Sequence, residues 1–244
     1  MDLTESVRPS AFSTLAATLI APEDAFVAIR EQPMWGWAIA ITIAMAALGS
    51  YLGTPALRHM VEAAAAAQAA ADPNIASLPP DRAAEQTRKA VAAAAMFVNY
   101  AWMFTIVVVP IVIFFEAAVL FGIRTLVRSD STFAQLLSLS AHVQFIASGV
   151  GSVVLGVVII LHNPATYHSQ ADFVSSIPTA AWLVPGASVN VATFLSTLSP
   201  FSIWATVFLA FGLQVVAAFP RAVAWTSSLA LLLGGAAWAG AFAR

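Results

Sequence analysis

Residues 97–123 read FVNYAWMFTIVVVPIVIFFEAAVLFGI, and this stretch decides the fold class. A bilayer core about 30 Å thick is crossed by a helix of about 20 apolar residues, and the only charged residue in the stretch is Glu116. The composition of the whole chain also indicates a membrane protein. Of its 244 residues 60% are hydrophobic and 9% are charged, whereas a typical soluble domain has about 25% charged residues. The sequence therefore predicts an all-α integral membrane protein and argues against a soluble enzyme.

Further stretches have the length and apolarity of membrane spans, with aromatic residues such as Trp35 and Tyr51 near their ends. Together with residues 97–123 they predict five transmembrane helices. Residues 182–198 are interrupted by Pro185-Gly186, so we predict an interfacial or re-entrant helix there, with a sixth span as the alternative. The other predicted spans are residues 35–54, 139–161, 201–219 and 222–242.

The few basic residues in short loops predict the orientation, because cytoplasmic loops are enriched in Lys and Arg. Arg124 and Arg128 follow the second span, and Arg221 follows the fourth. The N-terminus and both loops are therefore predicted to be cytoplasmic and the C-terminus extracytoplasmic. A sixth span would place Arg221 on the opposite side, which argues for five.

Residues 1–34 are predicted to be a cytoplasmic segment ahead of a transmembrane domain at 35–244. No apolar signal-peptide core follows the first residues. Residues 9–20 have the pattern of an amphipathic helix that would lie on the membrane surface or against the bundle. Its predicted apolar face consists of Phe12, Leu15, Ala16, Leu19 and Ile20, with Ser13, Thr14 and Thr18 elsewhere.

Residues 55–96 are rich in alanine and predict an extracytoplasmic helical extension between the first two spans. Thr54-Pro55 is a suitable start for one helix, Asp72-Pro73 for its end, and Pro79-Pro80 for the start of a second. The extension is either a solvated hairpin without a ligand or a docking surface for a partner outside the membrane.

Several short motifs occur in a fixed order along the chain. Residues 20–29, IAPEDAFVAI, are followed by QPMW at 32–35. STFAQLL at 131–137 precedes the third span, and SPFSIW at 199–204 is followed by FGL at 211–213. In order and spacing these motifs resemble the Yip1 family of bacterial membrane proteins. The residues that carry the resemblance are Pro22, Phe26, Pro33, Trp35, Phe133, Phe201, Trp204 and Gly212.

The resemblance implies five helices, a cytoplasmic N-terminus and a location in the bacterial inner membrane. It also implies a role in organising membranes or partners, since eukaryotic relatives are trafficking adaptors that bind small GTPases. The chain departs from the family pattern in the third span, where Ala141-His142 and Phe145-Ile146 stand in place of a usual tyrosine and proline.

Glu116 is the one acid well inside a predicted span, where a charged side chain costs about 2.5–3.5 kcal/mol unless it is paired or neutralised. Its candidate partners are Arg124, two helical turns on, and His142 on the neighbouring span. Three roles remain open: a protonated acid bonded to a neighbouring helix, a proton relay with His142, or a contact to a lipid head group or partner.

Other polar and small residues at membrane depth predict helix packing. The amides Asn99, Gln144, Asn190 and Gln214 are candidates for bonds between helices. Stripes of small residues allow close backbone approach, within the chain or between two copies. These small residues are Ser148, Ser152 and Gly156 in the third span and Gly235, Ala239 and Ala243 in the fifth.

The sequence contains no phosphate-binding loop or hydrolase motif. His162, His168 and Asp172 lie within one loop but match no metal-binding spacing. We therefore predict no enzyme activity, no cofactor and no metal site, and the net charge of −2 gives no indication of nucleic-acid binding. The predicted function is a non-enzymatic scaffold or adaptor, working with the lipid bilayer and with other membrane proteins or a second copy. The alternative is a small proton, ion or lipid transporter or channel that uses Glu116 and His142.

Overall fold

The computed structural model describes residues 10–167, 172 and 178–243, and within them all regular secondary structure is helical. The predicted all-α class is thus confirmed. A π-helical segment, Phe145–Val150, joins α7 directly to α8. The helices are α1 Ala11–Ile20, α2 Pro22–Glu31, α3 Trp35–Ala71, α4 Pro73–Ala76, α5 Pro80–Val98, α6 Ala101–Val127, α7 Phe133–Gln144, α8 Gly151–Leu161, α9 Val189–Ser196, α10 Pro200–Val216 and α11 Arg221–Ala241.

Several of these helices are long and apolar enough to cross a membrane. Within the described ranges four stretches qualify by themselves, namely Trp35–Ala71, Pro80–Val127, Phe133–Leu161 and Arg221–Ala241. The pair α9 and α10 is bent by 53° at its break and qualifies only when taken together. The multi-span membrane architecture is confirmed, and the count of five spans stays a prediction.

The outward surface of α6 is apolar, as a lipid-facing surface must be. Val107 and Ile111 are each 60% exposed and Phe115 is 65% exposed. Their spacing of four residues places them along one face of the helix. Large apolar side chains in such a row would be unfavourable in water, and they indicate contact with hydrocarbon.

The first of two compact units comprises Met1–Ala44, Val109–Val150 and Phe201–Gly235. Its core combines side chains from α2, α6, α7, α10 and α11. The rings of Phe26 and Phe208 lie 4.5 Å apart between centroids. Gly212 makes this packing possible, because a Cβ there would lie 2.4 Å from Cδ1 of Leu139 and 3.0 Å from Cε1 of Phe26.

The second unit comprises Met45–Val108, Gly151–Pro200 and Ala236–Arg244. In it α3 packs closely on α8. A Cβ on Gly49 would lie 2.3 Å from the backbone carbonyl atoms of Ser152, and one on Gly156 would lie 2.7 Å from the carbonyl oxygen of Gly49. Backbones approach this closely only where neither helix has a side chain in the way.

α3 runs without a break from Trp35 to Ala71 and contains Pro55. The prediction of a separate helix start at Thr54-Pro55 was therefore wrong. A proline removes one backbone hydrogen-bond donor from a helix, but α3 continues on both sides of Pro55. The other two boundaries predicted within the extension agree with the structure, since α3 ends at Ala71, just before Asp72-Pro73, and α5 begins at Pro80.

α1 is helical as predicted, and its buried side combines Leu15 of the predicted apolar face with two threonines. Thr14 and Thr18 are 2% and 0% exposed, whereas Phe12 and Ile20 are 74% and 84% exposed. Each threonine hydroxyl donates to the carbonyl oxygen four residues earlier, Thr14 to Ser10 and Thr18 to Thr14. Because the polar atoms are satisfied within the helix, the threonine methyl groups can pack inward.

The third span begins at Phe133, six residues before the predicted start. Thr132 and Gln135 form a reciprocal capping box at this end. Gln135 also donates from Nε2 to the carbonyl oxygen of Arg30 at 2.8 Å, which ties the start of α7 to the end of α2. The apolar count alone missed this first turn because its residues are mixed in polarity.

Candidate functional site: the Glu116 cluster

Glu116 lies on α6 and is 6% exposed, so the protein itself covers it. Gln144, the last residue of α7, donates from Nε2 to Glu116 Oε2 at 2.8 Å. Ser148 in turn donates from its hydroxyl to Gln144 Oε1 at 2.7 Å. This chain of bonds joins α6 to the third span. We call Glu116, Gln144, Ser148 and the adjacent Ser140 the Glu116 cluster.

The cluster retains unused hydrogen-bonding capacity. Glu116 Oε1 and Ser140 Oγ are both buried and have no hydrogen-bond partner among the described residues. Ser140 lies four residues before Gln144, hence on the same face of α7, and close to the Glu116 carboxyl group. Leaving a buried polar atom without a partner costs about 1–3 kcal/mol.

The backbone changes its helical type at the cluster. The π-helical segment begins immediately after Gln144 and contains Ser148. Single π turns inside α-helices occur often at functional sites. No signal in the sequence predicted this segment, although the neighbouring Gly149 and Gly151 are residues that accommodate a change in backbone path.

His142 is buried at 1% exposure, but it does not bind Glu116. Its Nδ1 lies 2.7 Å from the carbonyl oxygen of Ser138, which can only accept, so Nδ1 is the donor. Its Nε2 has no partner in the described part of the chain. His142 and Gln144 are two residues apart, about 200° around the helix, so His142 points away from the side that meets Glu116. The predicted Glu116–His142 contact is not formed.

Arg124, the other predicted partner, also binds elsewhere. Its Nε donates to the carbonyl oxygen of Ser129 at 2.9 Å, and its guanidinium carbon lies 4.8 Å from the centre of the Phe121 ring. The arginine therefore holds the end of α6 and the following turn. The hydrogen bond to Glu116 comes instead from the amide of Gln144.

The remaining predicted amides have different partners. Gln214 donates to the carbonyl oxygen of Ala210 in its own helix, at 2.8 Å. Asn99 is exposed at the end of α5. Asn190 does join two helices, because its Nδ2 donates to the carbonyl oxygen of Gly240 at 2.9 Å.

Some of the predicted small residues lie at close contacts between helices, and others do not. Ser152 and Gly156 lie in the close contact with α3. In the last span, Gly235 faces open space and Ala239 is half-buried, while the close approach occurs at Gly240, whose Cβ would lie 2.9 Å from the Asn190 carbonyl oxygen. Sequence reasoning missed Gly49 and Gly240. The amide Asn190 was the available signal for the second.

The loop histidines form no metal centre in the described residues. His162 is exposed, and its Nδ1 lies 2.9 Å from the carbonyl oxygen of Val158. His168 lies outside the described residues. Asp172 lies within the described residues and interacts with another group.

The sequence profile described as the Yip1 domain matches residues 16–241. This chain belongs to the Yip1 family. The match covers nearly the whole chain, including the Glu116 cluster, and members of the family are generally non-enzymatic membrane proteins. Comparison with curated proteins found no match, and comparison with solved structures found none either.

Two of the residues on which the sequence resemblance rests meet in the structure. Phe26 from α2 and Gly212 from α10 pack against one another and against Leu139 of α7. Phe133 lies edge-on to Phe121, with 5.6 Å between ring centres. Phe26, Gly212 and Phe133 thus lie in packing contacts between helices. The other motif residues are Pro22 at the start of α2, Pro33 and Trp35 at the start of α3, and Phe201 and Trp204 on α10.

Proposed function

We propose that this Yip1-family protein is a non-enzymatic scaffold or adaptor that organises membranes or assembles membrane partners. The observation that carries the proposal is the bonding of Glu116 to Gln144. The one acid inside a span is used to hold two helices together, which is a structural task. We also propose a bacterial inner-membrane location with a cytoplasmic N-terminus, as the positions of Arg124, Arg128 and Arg221 favour.

The proposed partners are the lipid bilayer and other membrane proteins or a second copy of the chain. Affinity capture of the tagged full chain in mild detergent tests this. We expect one or a few partners in stoichiometric amounts, and their recovery should be unchanged by Glu116→Gln. An unrelated membrane protein carrying the same tag is the control. Recovery of no partner above that control would rule out the scaffold.

A second candidate, a proton or ion transporter, has one observation in its favour. Glu116 Oε1, Ser140 Oγ and His142 Nε2 are buried polar atoms without hydrogen-bond partners in the described structure, and such atoms can hold water or pass protons. However, His142 points away from the side of α7 that bonds Glu116, which does not favour a direct relay between the two residues.

Flux through the purified chain in proteoliposomes separates the two candidates. The scaffold predicts proton flux equal to that of empty vesicles. A transporter predicts flux that falls with Glu116→Gln and with His142→Gln, while Gln214→Leu leaves it unchanged. Gln214 is the control because its amide bonds only its own helix.

A further inference from the structure

A cleft of about 580 Å³ opens between α3 and α5, within the second unit. One end of its lining is charged, with Arg58 and Glu62 from α3 and Arg88 from α5. The remainder of its α5 wall is apolar at Val91, Ala92, Ala95 and Met96 and polar at Thr87 and Asn99. The cleft shares no residue with the Glu116 cluster.

The charged end carries a net positive charge. Arg58 Nε bonds Glu62 Oε1 at 2.7 Å, so this pair is internally balanced. Arg88 is exposed and makes no ion pair or hydrogen bond with any described residue. A guanidinium group binds phosphate oxygens with two parallel hydrogen bonds, so Arg88 is available for an anionic group and Arg58 lies on the opposite wall.

The cleft lies where both helices change from charged to apolar sequence. On α3 there is no charged residue between Glu31 and Arg58. After Lys89 on α5, no charged residue occurs before Glu116. From Arg88 to Met96 the helix rises about 12 Å, so the lining passes from the polar side to the apolar side of this boundary. Exposed Phe97 and Tyr100 follow directly, as is typical of a membrane interface.

We propose that this cleft binds an acidic phospholipid. Its phosphate binds Arg88 and Arg58, and an acyl chain lies along Val91, Ala95 and Met96. A net negative head group matches the net positive end of the cleft, whereas a zwitterionic head group brings its own cation close to two guanidinium groups. A soluble anion would leave the apolar wall unused, and a soluble peptide would not explain why the cleft crosses the polar–apolar boundary.

Native mass spectrometry of the detergent-purified full chain tests the proposal. Phosphatidylglycerol and phosphatidylcholine are titrated separately, and we expect the former to bind more tightly. Arg88→Gln should weaken phosphatidylglycerol binding about fivefold, since one basic residue near a membrane surface contributes about that factor. The matched control is Lys89→Gln, because Lys89 has the same charge, bonds Glu85 at 2.6 Å and does not line the cleft.

Glu62→Gln should change lipid binding in the direction opposite to Arg88→Gln. It removes the negative charge from the cleft and releases Arg58, so phosphatidylglycerol should bind more tightly than to the unmodified chain. Equal losses in Arg88→Gln and Lys89→Gln would overturn the proposal. So would equal binding of the two lipids, weaker binding in Glu62→Gln, or displacement of the lipid by an equal concentration of glycerol phosphate, which has the anion but no acyl chain.

Discussion

At the scale of single residues, Glu116 is held by one amide, and this determines what its replacement should do. Gln144→Leu removes the amide that donates to the carboxyl group in the described structure, and we expect a loss of about 1–3 kcal/mol in the free energy of unfolding. Glu116→Leu should cost less or be stabilising, because it removes the buried acid itself. Thermal unfolding in detergent, followed by circular dichroism, measures both.

The double variant Glu116→Leu/Gln144→Leu sharpens this test. It should be more stable than Gln144→Leu alone, because no buried acid is left without its partner. Gln214→Leu is the control for removing an amide at membrane depth, since its bond lies within its own helix. If the double variant is the less stable one, Glu116 is not bound as the structure has it.

At the scale of helices, the contact of α3 with α8 depends on the absence of one side chain. In Gly49→Ala the new Cβ would lie 2.3 Å from the backbone of Ser152, which cannot rotate away. We expect the helices to separate locally, at a cost of about 1–3 kcal/mol. Thermal unfolding in detergent measures the change.

Gly53→Ala is the matched control for the same helix. Its Cβ would lie 3.7 Å from Cδ1 of Ile159, an ordinary contact. Alanine has a higher helix propensity than glycine, so this variant should be neutral or more stable by up to about 1 kcal/mol. Equal destabilisation by both substitutions would contradict the close packing at Gly49.

At the scale of the whole molecule, the orientation of five spans can be measured by labelling, because the chain contains no cysteine. Single cysteines are introduced at the exposed residues Lys89, Asp130 and Ala222. A membrane-impermeant maleimide added to intact cells should label Lys89→Cys, whereas the other two should react only after the membrane is opened. A reporter fused after Arg244 should give an extracytoplasmic signal.

Labelling of Ala222→Cys in intact cells would indicate a sixth span. The structure has a broken helix pair at α9 and α10, which accommodates either a re-entrant segment or a bent span. Lys89→Cys reports the side of the membrane on which the helical extension lies. If it is not labelled in intact cells while Asp130→Cys is, the predicted orientation is inverted.

The sequence predicted the helical class and most helix positions because bilayer thickness sets the length of an apolar run and because caps such as Asp72-Pro73 act locally. It also singled out Glu116, since a buried acid conflicts with its surroundings wherever it lies. The sequence was not sufficient where contacts with neighbouring helices determine which side chains are buried. It did not predict that Thr14 and Thr18 of α1 are buried, which is possible because their hydroxyls bond their own helix and let the methyl groups pack.

Composition and charge placement by themselves determined that this chain is an all-α membrane protein with few reactive groups, because long runs of residues without charge are what a hydrocarbon layer accepts, and such runs are visible in the sequence. Only the tertiary structure decided that Glu116 binds Gln144 and not His142. Partner choice depends on the rotation of α7 about its axis and on the π-helical segment that follows it, and neither is specified by the distance between two residues along the chain.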